Sequence, residues 1–301
     1  MKNVLLIMNG MAGNGRNGSS TFRIVKNFAS KGLITTVCPV AEGVELDTAD
    51  YLADKEYDLV VCMGGDGTIN AAVNRLMKLD KRPILGYIPA GTTNDFSKNL
   101  KLVRDVDKAC ELITSGRYVN YDVGCFNGHY FNYVAAFGAF SAISYNTDQK
   151  AKNTLGYAAY ILNAIISAPE HLATKCHLRM EVDGDVIEGD YSFGGVCNSL
   201  SVGGQKLPGI TTSNLYDGAF ELFLIKYPEN PADLTEILYA LLQGDFGNEH
   251  FVFRKVKKAH IYSQKNVEWT LDGEYGGSPE EVDFEIIPGA IRIASAISAD
   301  Q

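Results

Sequence analysis

The chain has 301 residues, 46% of them hydrophobic, which is enough for two domains with sizeable cores. Its 27 Lys and Arg against 36 Asp and Glu leave a net charge of -9. That balance excludes a general nucleic-acid binder, because neutralising phosphates takes an excess of cations, and it requires any contact with an anionic membrane to be local.

Lys2 to Met8 predicts a buried strand, too short and too soon followed by Asn and Gly to serve as a signal segment. The glycine-rich loop from Asn9 to Ser20 comes next, then a helical pattern that places Phe22, Val25, Phe28 and Ala29 on one face. Strand, glycine-rich loop and helix form a phosphate-binding arrangement at the first crossover of an α/β sheet. No Gly-Lys-Ser/Thr follows, so this is not a Walker A loop, and a plain surface loop is an equally good reading. Ile34 to Val37 predicts a second strand, and Glu45 to Asp54 a polar helix.

The next stretch, Val60 to Asn70, carries the sharpest local signal. Leu59 to Met63 is an apolar, β-favouring run that ends in Gly64-Gly65-Asp66-Gly67-Thr68. From Ile69 the apolar residues Ile69, Ala72, Val73, Leu76 and Met77 recur at helical spacing. A strand that ends in glycines and opens a helix leaves backbone N–H groups for an anion. Asp66 would repel a phosphate, so it suits a Mg²⁺ ion or an oriented water; the bland reading is a capping Asp in a tight turn. Ile84 to Ile88 then runs into Pro89-Ala90-Gly91-Thr92-Thr93-Asn94-Asp95-Phe96, a second strand-to-helix loop with a carboxylate. Loops after neighbouring parallel strands share the carboxyl edge of the sheet, where Asp66 and Asp95 can face one cleft.

After a helix over Asp107 to Thr114 the texture changes. Val119–Cys125, Tyr130–Phe137, His177–Val182, Val186–Val196, Phe220–Ile225, Ala259–Ser263, Val267–Leu271 and Val282–Ile287 all read as strands. Asn127-Gly128 and Asp183-Gly184 are hairpin signals between such runs. Helices are predicted over Lys152–Ala168 and Pro231–Gln243. The expected fold is an α/β nucleotide-binding domain over residues 1–117, with a Rossmann-like parallel sheet, and a β-rich sandwich over residues 118–301 whose last strand can return to the first domain. The six scattered cysteines read as reduced residues. With no apolar run near the ~20 residues of a membrane span, the expectation is a soluble, cytoplasmic protein.

With these loops placed, the chain resembles the diacylglycerol kinase catalytic-domain family, which includes sphingosine and ceramide kinases and bacterial soluble lipid kinases. Gly64-Gly65-Asp66-Gly67-Thr68 with Asn70 is similar to the family's nucleotide loop, and Pro89 to Phe96 to its second signature. Asn9-Gly10-Met11-Ala12-Gly13 resembles its first loop, with Gly10 where proline is usual. The stretch Asn214 to Phe220 resembles a structural Mg²⁺ segment, which implies Asp217 with backbone carbonyls near Asn214 and Ala219 as ligands. Asp122 falls where the family keeps an acidic residue, and Leu271-Asp272-Gly273-Glu274 resembles the Asp-Gly-Glu that supplies a catalytic base.

The resemblance implies an ATP-dependent lipid kinase with its nucleotide site in the interdomain cleft and diacylglycerol as the first-choice acceptor, giving phosphatidic acid. Asn9 to Gly13, Gly64 to Thr68, Asn70, Gly91, Thr92 and Asn94 would hold ATP. Asp66, Asp95 and Asp122 would organise Mg²⁺, and Asp272 or Glu274 would take the acceptor's proton. The lipid would be met by transient peripheral contact, and family analogy allows a homodimer. Lys150, Lys152 and the run Arg254 to Lys258 could meet head groups, although such runs are more often solvated faces. An NAD kinase shares Gly-Gly-Asp-Gly-Thr, and an inactive lipid- or nucleotide-binding module is the rival outside enzymes.

Overall fold

The computed structural model describes residues 2–9, 17–40, 56–91, 94–138, 172, 174–198, 201–202, 205–206, 216–243 and 245–297. The helices expected at 45–54 and 152–168 lie outside the described residues. The chain forms two compact units, residues 1–121 with 289–301, and residues 122–288.

In the first unit, β1 (Asn3–Asn9), β2 (Ile34–Val40), β3 (Leu59–Gly64) and β4 (Ile84–Pro89) alternate with helices α1 (Asn17–Ala29) and α2 (Asp66–Leu76). Two more helices, α3 (Asp95–Asn99) and α4 (Val106–Ile113), precede β5 (Tyr118–Phe126), within which the chain passes to the second unit. β1 pairs in parallel with β2 and β3, and β3 with β4. Val4 to Met8 and Leu59 to Gly64 are buried without alternation, as expected of central parallel strands covered on both faces.

α2 buries Ile69, Ala72, Val73 and Leu76, the face predicted from spacing. α1 buries only part of the face predicted for it: Phe28 is buried and Val25 half-buried. Phe22 is 73% exposed and Ala29 is exposed, whereas Ile24 and Phe28 are fully buried. Ile24 and Phe28 are four residues apart and each gains about 1.5–3 kcal/mol on full burial. Phe22 lies about 200° round the helix from Ile24 and cannot share that face. α1 and α4 are tied together by the carboxylate of Asp107, which accepts from Arg23 and from Asn27 Nδ2.

The second unit is antiparallel. It contains β6 (His129–Phe131), β7 (Val134–Gly138), β8 (Cys176–Val182), β9 (Asp185–Cys197), the short pair β10 (Ser201–Val202) and β11 (Gln205–Lys206), and β12 (Phe220–Lys226). After α5 (Pro231–Gln243) come β13 (Phe251–Val256), β14 (Lys258–Ser263), β15 (Trp269–Leu271), β16 (Glu274–Gly277) and β17 (Glu281–Ala294), which from Gly289 onward belongs to the first unit. β9 is long enough to pair with β8 along its first half and with β7 and β12 along its second. A core of Phe126, Phe131, Phe137, Trp269 and Phe284 fills one face; Phe223, Phe246 and Phe251 pack with Ile237 and Leu241 of α5 in another.

The parallel α/β first part and the antiparallel β-rich second part are as the sequence predicts. Further details differ. The strand expected over Tyr130–Phe137 is two strands broken at Asn132 and Tyr133. β13 and β16 were not predicted, because their patterns are rich in charge and glycine. β17 runs well past Ile287, and its end pairs in parallel with β4 through Ile293 and Leu85. Finally, the basic run from Arg254 is partly neutralised. Arg254 pairs with Asp185 and Lys255 with Asp217, and the Lys257 and Lys258 amides donate to Asp183.

Candidate active site

In the first unit the ends of β1, β3 and β4 are cross-linked by the residues singled out above. Asn9 Nδ2 donates to Thr68 Oγ1 at 3.3 Å, joining the first strand end to the start of α2. The Gly64 carbonyl accepts from the amides of Ala90 and Gly91 at 2.8 and 3.1 Å. Phe96 N–H donates to Asp66 Oδ1 at 3.1 Å, so the carboxylate that opens α2 also anchors α3. Two glycines make this approach possible. A Cβ on Gly91 would sit 2.5 Å from Gly65 Cα, and one on Gly64 would sit 2.3 Å from Thr68 Oγ1.

Asn94 holds the second loop. It adopts the left-handed conformation (φ 51°, ψ 52°), which Asn tolerates better than other side chains. Its Oδ1 accepts from Gly91 N–H at 2.9 Å and its Nδ2 donates to Gly91 O at 2.6 Å. Tyr87, which is buried in β4, shares its hydroxyl proton between Gly64 O at 3.0 Å and Asn94 Oδ1 at 3.2 Å. Sequence reasoning missed Tyr87. The available signal was a hydroxyl-bearing residue inside an otherwise aliphatic strand, since a buried tyrosine needs a partner.

Asn70 Oδ1 accepts from Asn74 Nδ2 at 3.0 Å, one turn along α2. Gly10, Met11, Ala12, Gly13 and Thr92 lie outside the described residues, as does the Asp95 side chain. Burial pushes the Cys62 thiol, in β3 behind the loop, up to about 12, so it is no nucleophile at neutral pH.

The second unit holds the remaining carboxylates in two places. Asp122, 1% exposed, accepts Gly218 N–H at 2.7 Å, and Asp217 Oδ1 accepts Ala219 N–H at 3.1 Å. Asp217 Oδ2 receives the Lys255 ammonium, and that hydrogen bond holds the ammonium above its ordinary range. Asn214 lies outside the described residues. Among the described residues there is no cluster of three or more His, Cys, Asp and Glu for a metal. The donor set still fits Mg²⁺ carried on phosphates, since one or two carboxylates with substrate oxygens and waters suffice, as Asp66 could provide. At Asp217 the charge is already met by an ammonium.

Asp272 and Glu274 have unlike surroundings. Asp272 is 8% exposed and its carboxylate accepts from four N–H groups. Glu274, the first residue of β16, is exposed.

The match to known proteins follows the same elements. The model for the diacylglycerol kinase catalytic domain covers residues 3–126. A diacylglycerol kinase of Bacillus subtilis (strain 168) is 34% identical over 281 residues, 92% of this chain and 91% of that protein. The chain belongs to the diacylglycerol kinase family. Another relative, the diacylglycerol kinase of Staphylococcus carnosus (strain TM300), is 34% identical over 226 residues, 74% of this chain and 72% of that one. The solved structure of a diacylglycerol kinase from Bacillus anthracis (strain Sterne) matches with 26% identity and a TM-score of 0.77, over 98% of this chain and 97% of that chain. A second solved chain from that strain reaches a TM-score of 0.82 at 27% identity, over 98% and 95%. This kinase of alcohol-acceptor type has, among its described residues, no helix long and apolar enough to cross a membrane.

Proposed function

We propose that the protein transfers the γ-phosphoryl group of ATP to the free hydroxyl of diacylglycerol, yielding phosphatidic acid and ADP. The observation that carries this reading is the joining of three strand ends, through Asn9–Thr68, Asp66–Phe96 and the Gly65–Gly91 approach. Phosphoryl transfer asks mainly for positioning and charge stabilisation, and a rigid, glycine-lined set of loops provides the first. The amides that open α2 bind phosphate oxygens, and Thr68 and Thr92 add hydroxyl donors. Asp66 and Asp95 would hold Mg²⁺, which would neutralise charge on the phosphates.

The acceptor oxygen forms the new bond to the γ-phosphorus as the bond to the ADP oxygen breaks. ADP leaves as the oxyanion, and the hydroxyl proton passes to a carboxylate of the Asp272–Glu274 pair. The lipid is met at its surface by transient peripheral contact, with the exposed Lys257 and Lys258 available to head groups.

Labelled ATP with detergent-dispersed diacylglycerol, phosphatidylglycerol, a sphingoid base, a polyprenol and NAD tests the reading. The expected product is labelled phosphatidic acid. Labelled NADP, or no labelled lipid at all, would overturn it.

A structural Mg²⁺ at Asp217, supported by Asp122, Ala219 and Asn214, would have to displace the Lys255 ammonium. Lys255→Met is therefore expected to raise the melting temperature gained on adding Mg²⁺ above the gain of the unsubstituted protein. A ligand that binds only the native state stabilises by mass action, and weaker competition deepens that effect. An equal gain in both proteins would place the ion elsewhere.

A further inference from the structure

Tyr87 is the hydroxyl-bearing residue of β4, set among Ile84, Leu85 and Ile88, and it is 2% exposed. Its proton has two takers on two different loops. Gly64 O, at the end of β3, lies 3.0 Å from the hydroxyl, and Asn94 Oδ1, in the second loop, lies at 3.2 Å. Gly91 N–H is placed between the same two oxygens, 3.1 Å from Gly64 O and 2.9 Å from Asn94 Oδ1. Two acceptors, one on each loop, are thus joined by two shared donors. The ring of Tyr87 packs edge-on against Phe96, with centroids 5.9 Å apart. Tyr87 therefore reaches Asn94 with its hydroxyl and Phe96 with its ring, and Phe96 is the residue whose amide anchors Asp66.

We propose that Tyr87 is a positioning residue for the nucleotide. Through Asn94 it ties the second loop to the end of β3, and so fixes the Phe96 amide against Asp66. The proposal deepens the kinase reading and rests on it for the identity of the nucleotide. Packing alone does not call for this hydroxyl, since phenylalanine fills the same space with no polar atom to satisfy. A buried tyrosine needs one partner, and a single carbonyl would have served. The hydroxyl bridges two loops instead, at the place where Gly65 and Gly91 approach most closely.

The test compares Tyr87→Phe with Ser97→Ala. Each removes one buried hydroxyl beside Asn94, but Ser97 Oγ donates at 2.8 Å to the Asn94 main-chain carbonyl rather than to its side chain. Both variants should melt within about 4 °C of the unsubstituted protein, because every acceptor involved keeps an N–H donor. A larger fall in Tyr87→Phe would mark a role in stability and count against the proposal. Tyr87→Phe should lose about tenfold in kcat/KM for ATP at an unchanged KM for diacylglycerol, and Ser97→Ala less than about threefold. Equal losses in the two variants, or a raised KM for diacylglycerol in Tyr87→Phe, would overturn it. Asn94→Gly keeps the left-handed backbone and removes the side chain through which Tyr87 acts. Adding Tyr87→Phe to that variant should cost no more than about twofold, and a further tenfold loss would refute the coupling. Hydrogen exchange gives a readout apart from turnover. The Ala90 and Gly91 amides should exchange at least about tenfold faster in Tyr87→Phe and unchanged in Ser97→Ala; unaltered exchange in Tyr87→Phe would refute the tether. Failure of the unsubstituted enzyme to phosphorylate diacylglycerol would sink the kinase reading instead, and the exchange rates would still decide the tether.

Discussion

Gly91→Ala is expected to lose at least about a hundredfold in kcat/KM, although it adds a single methyl group. Gly91 does not use a left-handed conformation, so alanine suits its backbone and the effect is one of space. The added Cβ would lie 2.5 Å from Gly65 Cα, 2.8 Å from Asn94 Oδ1 and 3.2 Å from Gly65 N. Carbon atoms rest about 3.5–4.0 Å apart, so the two loops must separate by roughly an ångström. A displacement of that size at a phosphoryl-transfer site costs on the order of 10²-fold. Gly65→Ala is the internal control: its Cβ would lie 3.4 Å from Gly91 Cα, ordinary contact, and the loss should be much smaller. Steady-state kinetics on both variants checks this. Activity in Gly91→Ala equal to that of Gly65→Ala would show that the close approach is not needed for turnover.

Asp66→Asn is expected to lower kcat/KM by about 10²–10³-fold while leaving the fold intact. The asparagine oxygen can still accept Phe96 N–H, as Asp66 Oδ1 does at 3.1 Å, so α3 keeps its anchor. What disappears is the negative charge, and with it the hold on a divalent cation proposed for Asp66, a contribution of roughly 2.7–4 kcal/mol when such charge stabilisation is removed. The Mg²⁺ concentration for half-maximal rate should rise in parallel. Asp66→Ala removes the anchor as well and should melt lower than Asp66→Asn. A variant within tenfold of the unsubstituted enzyme, with the same Mg²⁺ dependence, would remove Asp66 from the chemistry.

Much of this was legible in the chain because it is local. A strand that runs into Gly64-Gly65-Asp66 and then into a helix specifies its own geometry, and the apolar spacing from Ile69 to Leu76 names the face that α2 buries. The span of α5, Pro231 to Gln243, was readable for a like reason: proline suits a first helical turn. The parallel class of the first unit followed from alternation of such units, and the antiparallel class of the second from its hairpin signals.

Other features depended on partners far away in the chain. The face of α1 was only partly read: Phe28 is buried as its spacing predicts, but it packs with Ile24, and Phe22, which fits the same pattern, is left exposed. The break at Asn132 and Tyr133 has no local breaker; it exists because a carboxylate 140 positions later collects their N–H groups. The register of β17 beside β4 is likewise unreadable locally, since Ile293 and Leu85 are neighbours only in the sheet. The sequence by itself determined which residues end the strands of the first unit and which carboxylates they carry, because glycine, helix starts and charge act within a few residues. Only the tertiary structure decided what each carboxylate does. Asp66 anchors α3 through Phe96, Asp217 meets an ammonium, and Asp272 is spent on the backbone, because hydrogen-bond donors are assigned by contacts that close long loops.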